Sequence, residues 1–82
     1  NYSLAKFYIE RALSNIKEEE SSAVLQDHYG DILWKLGESE KALMAWEKAY
    51  EIGDKSEEIK QKIKEAQKEA ISVEVQSDEA TK

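Results

Sequence analysis

Apolar residues recur at intervals of three and four along most of the chain, the spacing of one helix face. Between residues 2 and 17 the stripe is Leu4, Ala5, Tyr8, Ile9, Ala12, Leu13 and Ile16. A polar break, KEEESS, follows, with Ser21 or Ser22 placed to cap the next helix. Residues 23–36 carry Val24, Leu25, Tyr29, Ile32, Leu33 and Leu36, and Gly37 stands where a left-handed cap is common. Residues 39–52 carry Ala42, Leu43, Ala45, Trp46, Ala49 and Tyr50, and Gly53 ends them. Asp54 and Glu57 have the spacing of a capping box for a fourth helix. That helix, over about 55–70, has a narrow stripe of Ile59, Ile63, Ala66 and Ala70 against Lys, Glu and Gln elsewhere. The tail, 71–82, alternates Ile71, Val73 and Val75 with polar residues, a weak strand pattern; a flexible, frayed end is expected. The pattern predicts an all-α chain of about four helices. Its connections are short, so neighbours pack as antiparallel hairpins.

Composition sharpens this picture. The chain has 82 residues, 40% hydrophobic and 37% charged, with no proline and three glycines. One helical domain with thin apolar stripes suits that balance. Acids outnumber bases 18 to 12, for a net charge of −6. Nucleic-acid and anionic-membrane binding, which draw on clustered Lys and Arg, are therefore not expected. There is no cysteine, hence no disulfide framework or thiol nucleophile. No stretch approaches the roughly 20 apolar residues of a membrane span.

Two glycines, Gly30 and Gly37, interrupt otherwise helical pattern, and each costs roughly 0.5–1 kcal/mol relative to alanine inside a helix. A repeat accounts for them. NYSLAKFYIERAL from Asn1 aligns with ESEKALMAWEKAY from Glu38 at a constant offset of 37. Ala5 falls on Ala42, Ile9 on Trp46, Glu10 on Glu47 and Ala12 on Ala49. Small, large and small residues at spacings of four and three suit two closely crossing helices.

Residues 23–56 resemble the tetratricopeptide repeat (TPR) family, whose unit of about 34 residues has the pattern W-x₂-L-G-x₂-Y…A-x₃-F…P. Gly30 and Gly37 match the glycine of the first helix and the turn. Ala42, Trp46 and Ala49 match the alanine, aromatic and alanine of the second. Gln26 stands where tryptophan is usual, Tyr29 for leucine, Leu33 for tyrosine and Asp54 for the closing proline. The resemblance covers about residues 1–68 and is nearest to bacterial arrays. It implies an α-α superhelix in which Gly30, Gly37, Ala42, Trp46 and Ala49 serve repeat packing, with Gly30 facing the partner helix near Ala42. It divides the chain into the second helix of a truncated repeat (1–20), a complete unit (23–56), a capping helix (57–70) and the tail. The alignment of Asn1 with Glu38 implies the C-terminal end of a longer array, with any targeting segment upstream. The compartment, cytoplasm or periplasm, stays open.

The chemistry weighs against an enzyme: one histidine, no cysteine, and carboxylates spread over polar helix faces. His28 with Asp27 and Asp31 gives too few ligands for a structural zinc site, so no metal or cofactor is expected. By the resemblance, the groove face of the first helix offers Asp27, His28, Asp31, Trp34 and Lys35 as partner-binding candidates, beside Val24. The family's carboxylate clamp uses Lys, Arg and Asn, and two aspartates would repel a carboxylate. A basic or neutral protein segment is the expected partner. Trp34 reads equally as a peptide contact or as packing on the next helix. The expected function is a non-enzymatic protein–protein interaction scaffold. The alternative is a structural self-association unit. Residues 2–17 are apolar on more than one side, so a homodimer through Phe7 and Tyr8 is expected if nothing else covers that side.

Overall fold

A computed structural model describes residues 1–17 and 22–81, with side chains described as far as Glu69. The described residues form four helices: α1 (Tyr2–Ser14), α2 (Ala23–Lys35), α3 (Ser39–Ile52) and α4 (Glu57–Thr81). No strand occurs among them. The fold is all-α, built by helix packing on helix.

Local chemistry sets the helix ends. Asn1 caps α1, its side-chain oxygen accepting from the Leu4 N–H at 3.1 Å. Ser22 caps α2, its Oγ accepting from the Val24 N–H at 3.1 Å; Ser21, the other candidate cap, lies outside the described residues. At the α2–α3 turn the Glu38 N–H donates to the Leu33 carbonyl and the Gly37 N–H to that of Trp34. These are the two bonds of a Schellman motif, which needs a left-handed residue between them. Gly37 supplies it with φ of 81°.

Two sequence expectations change in the second half. Ser56, not Asp54, caps α4: its Oγ accepts from the Ile59 N–H at 3.3 Å. Asp54 instead accepts from the Ser56 N–H at 3.2 Å, closing a turn ahead of the helix. The helix also runs on past residue 70, the end of its apolar stripe, as far as Thr81. No Gly or Pro interrupts residues 57–82, and Glu, Gln and Ala recur there. The alternating Ile71, Val73 and Val75 therefore lie on helical backbone, not in an extended segment.

Contacts between neighbouring helices run in reverse order along the chain. Glu10 of α1 meets Tyr29 of α2, whereas Lys6 reaches further on, to Glu38. Early α2 meets the middle of α3 through Asp27 and Trp46. α1 and α2, and α2 and α3, therefore pack antiparallel. The core sits where α2, α3 and α4 converge: Leu33, Ala42, Ala45, Trp46, Ala49, Ile59 and Ala66 are buried. Full burial of a side chain such as Leu33 or Ile59 contributes about 1.5–3 kcal/mol. No residue of α1 is buried. That helix lies outside the core, with Ala5, Ile9, Ala12 and Leu13 half-covered on its inner side.

Candidate binding groove between α2 and α4

The groove begins with Gly30. A Cβ built on Gly30 would fall 2.8 Å from Trp46 Cε2, with Nε1 and Cδ1 nearer still. The Cδ1–Nε1–Cε2 edge of the indole thus lies against the bare backbone of α2. The sequence pattern places Ala42 opposite this glycine; Trp46 occupies that position instead. A residue with φ in the ordinary helical range needs no glycine for its conformation, so the requirement here is space alone. Trp46 is 3% exposed, and its Nε1–H donates to the Asp27 carbonyl at 3.2 Å, so its one polar atom is satisfied.

Trp34, one helix turn beyond Gly30, extends this aromatic floor. Its ring lies 5.6 Å from that of Trp46, centroid to centroid, at an interplanar angle of 43°. Both readings of Trp34 find a place in this geometry. It packs against the core, yet it remains only partly buried and lines a cleft.

The fourth helix closes the site. Lys62 Nζ lies 2.8 Å from Asp27 Oδ1, 3.0 Å from Asp31 Oδ1 and 3.8 Å from Glu58 Oε1. The same ammonium stands 5.9 Å from the Trp46 ring centroid. Partial burial pulls the Lys62 ammonium down, but its hydrogen bonds and charge interactions with Asp27 and Asp31 overcome this and raise its pKa above the ordinary lysine value. Asp27 and Asp31 therefore tie α2 to α4, and Asp31 also lines the site. The resulting cleft has a volume of about 490 Å³. Trp34 and Trp46 floor it, while Asp31, Glu58 and Glu65 edge it, with Gln61 and Lys62 between them.

Of the sequence-derived candidates, Asp31 and Trp34 line this cleft, and Asp27 stands beside it through its pairing with Lys62. His28 and Lys35 are exposed on α2 and do not line the cleft. Among the described residues no group of three or more His, Asp or Glu is placed to hold a metal ion. Sequence reasoning missed the contribution of α4. Its signal was the run Glu58, Lys62, Glu65 at spacings of four and three, which shares a helix face beside the Ile59–Ile63–Ala66 stripe.

A second cleft of about 490 Å³ lies between α3 and α4, with Tyr50, Lys55 and Ile63 in its wall. Its ring is already engaged, because Lys55 Nζ sits 3.6 Å from the Tyr50 centroid.

Polar clips hold α1 to α2 and to the α2–α3 turn. The Tyr29 hydroxyl donates to Glu10 Oε2 at 2.6 Å. Burial, then this bond to a carboxylate, pushes the Tyr29 pKa up to about 12. Lys6 and Glu38 pair at 2.9 Å, and Lys41 adds a second cation to Glu38 at 3.4 Å. The hydrogen bond to Lys6 holds Glu38 below the usual carboxylate range and raises Lys6. On the outer side of α1, Leu4, Phe7 and Tyr8 are 50%, 57% and 60% exposed. Phe7 and Tyr8 meet edge to face at 5.7 Å.

Comparisons of the chain with protein-family models, curated proteins and solved structures find no match. Among the described residues no helix is long and apolar enough to cross a membrane.

Proposed function

We propose that this chain is a non-catalytic protein–protein interaction module that binds a basic segment of another protein in the groove between α2 and α4. The observation that carries this reading is the pairing of an aromatic floor, Trp34 and Trp46, with an acidic edge of Asp31, Glu58 and Glu65. Aromatic faces and carboxylates together suit a cationic side chain, which gains from the ring quadrupole and from charge pairing. The resemblance of residues 23–56 to a tetratricopeptide repeat supports the same face, since the groove of that family is lined by first helices. In that scheme α2 is the first helix of a complete unit, α3 its second and α4 the closing helix. Calorimetric titration with an arginine-containing peptide tests the reading. The expected result is saturable binding that weakens as salt rises and disappears with the uncharged citrulline peptide. Equal heats from both peptides would exclude charge recognition.

A second reading has its own observation. The outer side of α1 exposes Leu4, Phe7 and Tyr8 together. Tyr8 is the repeat equivalent of Ala45, which is only 4% exposed in the core. A helix standing to α1 as α2 stands to α3 would cover Tyr8, and a second copy of α1 is the simplest candidate through two-fold symmetry.

A further inference from the structure

We propose that Lys62 is a resident counter-cation of the α2–α4 groove, which occupies the carboxylates a basic partner needs and so holds its affinity down. This rests on the groove reading above. The occupant is an arginine side chain in an exposed segment of another protein.

The placement of Lys62 supports this role. Its ammonium bridges Asp27 and Asp31 at 2.8 and 3.0 Å, directly beside the aromatic floor. An incoming cation therefore meets a groove whose Asp31, and Asp27 beside it, already have a partner. Lys62 also has somewhere to go. Glu58 and Glu65 lie one turn before and after it on its own helix, at i−4 and i+3, where side chains meet on the surface. Glu58 is already 3.8 Å away with its side chain 80% exposed. Lys62 can yield Asp31 to a guanidinium and retreat to the acids of α4. Arginine suits the exchange better than lysine, because its planar fork can pair with Asp31 while its face lies on Trp34.

The consequence has a definite sign. Removing the resident charge strengthens binding of a cation and weakens binding of an anion. Lys62→Gln keeps a hydrogen-bond donor for Asp27 and Asp31 while deleting the charge. One unit charge about 5–6 Å from the incoming guanidinium, partly screened, corresponds to an affinity gain on the order of tenfold at low salt.

The test titrates wild type and Lys62→Gln with a capped peptide of alternating glycine and arginine, and with its citrulline counterpart. Far-UV circular dichroism first establishes that the variant is folded. The expected result is roughly tenfold tighter binding of the arginine peptide by Lys62→Gln, a gain that shrinks at high salt. Wild-type binding with equal or weaker binding by the variant overturns the role of Lys62 and leaves the groove reading standing. Failure of both proteins to distinguish arginine from citrulline overturns both. If the variant does not fold, ¹⁵N spectra of the wild-type lysine ammonium groups decide: saturating arginine peptide should shift the Lys62 Nζ signal, and an unmoved signal overturns the proposal.

Discussion

Gly30→Ala adds one methyl group at a helix–helix contact that has no room for it. On an exposed helix this change would stabilise by about 1 kcal/mol through helix propensity. Sequence alone would therefore rank alanine as harmless and only a larger residue, such as leucine, as disruptive. The structure reverses the expectation for alanine. The new Cβ would lie 2.8 Å from Cε2 of an indole that is 3% exposed and bonded to the Asp27 carbonyl. Backbone lies on one side of that contact and a packed ring on the other, so the ring must tilt or the helices must separate. Overpacking of this kind costs about 1–3 kcal/mol. Losing the indole hydrogen bond adds about 0.5–1.5 kcal/mol. After subtracting the propensity gain, Gly30→Ala should destabilise by about 0.5–3.5 kcal/mol, and each kcal/mol lowers Tm by roughly 4–8 °C in a domain of this size. Urea and thermal melts followed by circular dichroism measure it. A double-mutant cycle with Trp46→Leu isolates the cause: the smaller side chain at position 46 should remove most of the penalty of Gly30→Ala. A Gly30→Ala protein as stable as wild type or more so, or one whose loss persists unchanged in the Trp46→Leu background, would refute the close-packing account.

The remaining predictions concern α1. Tyr29 titrates at about 12 in the folded protein against an ordinary 10.0. Its contribution to stability is therefore complete below about pH 10 and is lost as pH rises from about 10 to about 12. Thermal melts at stepped alkaline pH should show a shallower decline for Tyr29→Phe than for wild type, and identical slopes would contradict the Tyr29–Glu10 linkage. Light scattering across a concentration series tests self-association through α1. The second reading expects wild type to dimerise and Phe7→Glu with Tyr8→Glu to be monomeric; a wild-type monomer at high concentration, or a dimer that survives both changes, rules it out.

Helix number and class were legible because the apolar stripes follow a period near 3.6 and the glycines mark the α2 and α3 ends. The burial of Ala42, Trp46 and Ala49 followed from small and large residues alternating along one face. What could not be read was which residue meets which across helices. Periodicity gives the face of Gly30 but not that an indole four residues past Ala42 reaches over it. The groove was half legible for the same reason. Asp27, Asp31 and Trp34 share a face of α2 by spacing, but nothing in the order of residues states that Lys62 arrives opposite them. His28 and Lys35 sit close to that face in the helical period and still fall outside the cleft. The end of α4 was not legible because a narrowing apolar stripe resembles a helix terminus, whereas backbone propensity continues beyond it.

The most direct measurement of the groove claim is a ¹⁵N–¹H titration of the wild-type protein with the arginine peptide. The chain has two tryptophans, so two indole N–H signals report on the floor. The account predicts that the Trp34 indole and the amides of Asp31, Glu58, Gln61 and Glu65 shift together along one saturation curve, with the citrulline peptide inert. Shifts confined to Leu4, Phe7 and Tyr8 on α1, or to the Tyr50–Lys55 cleft, with Trp34 unmoved, would contradict it.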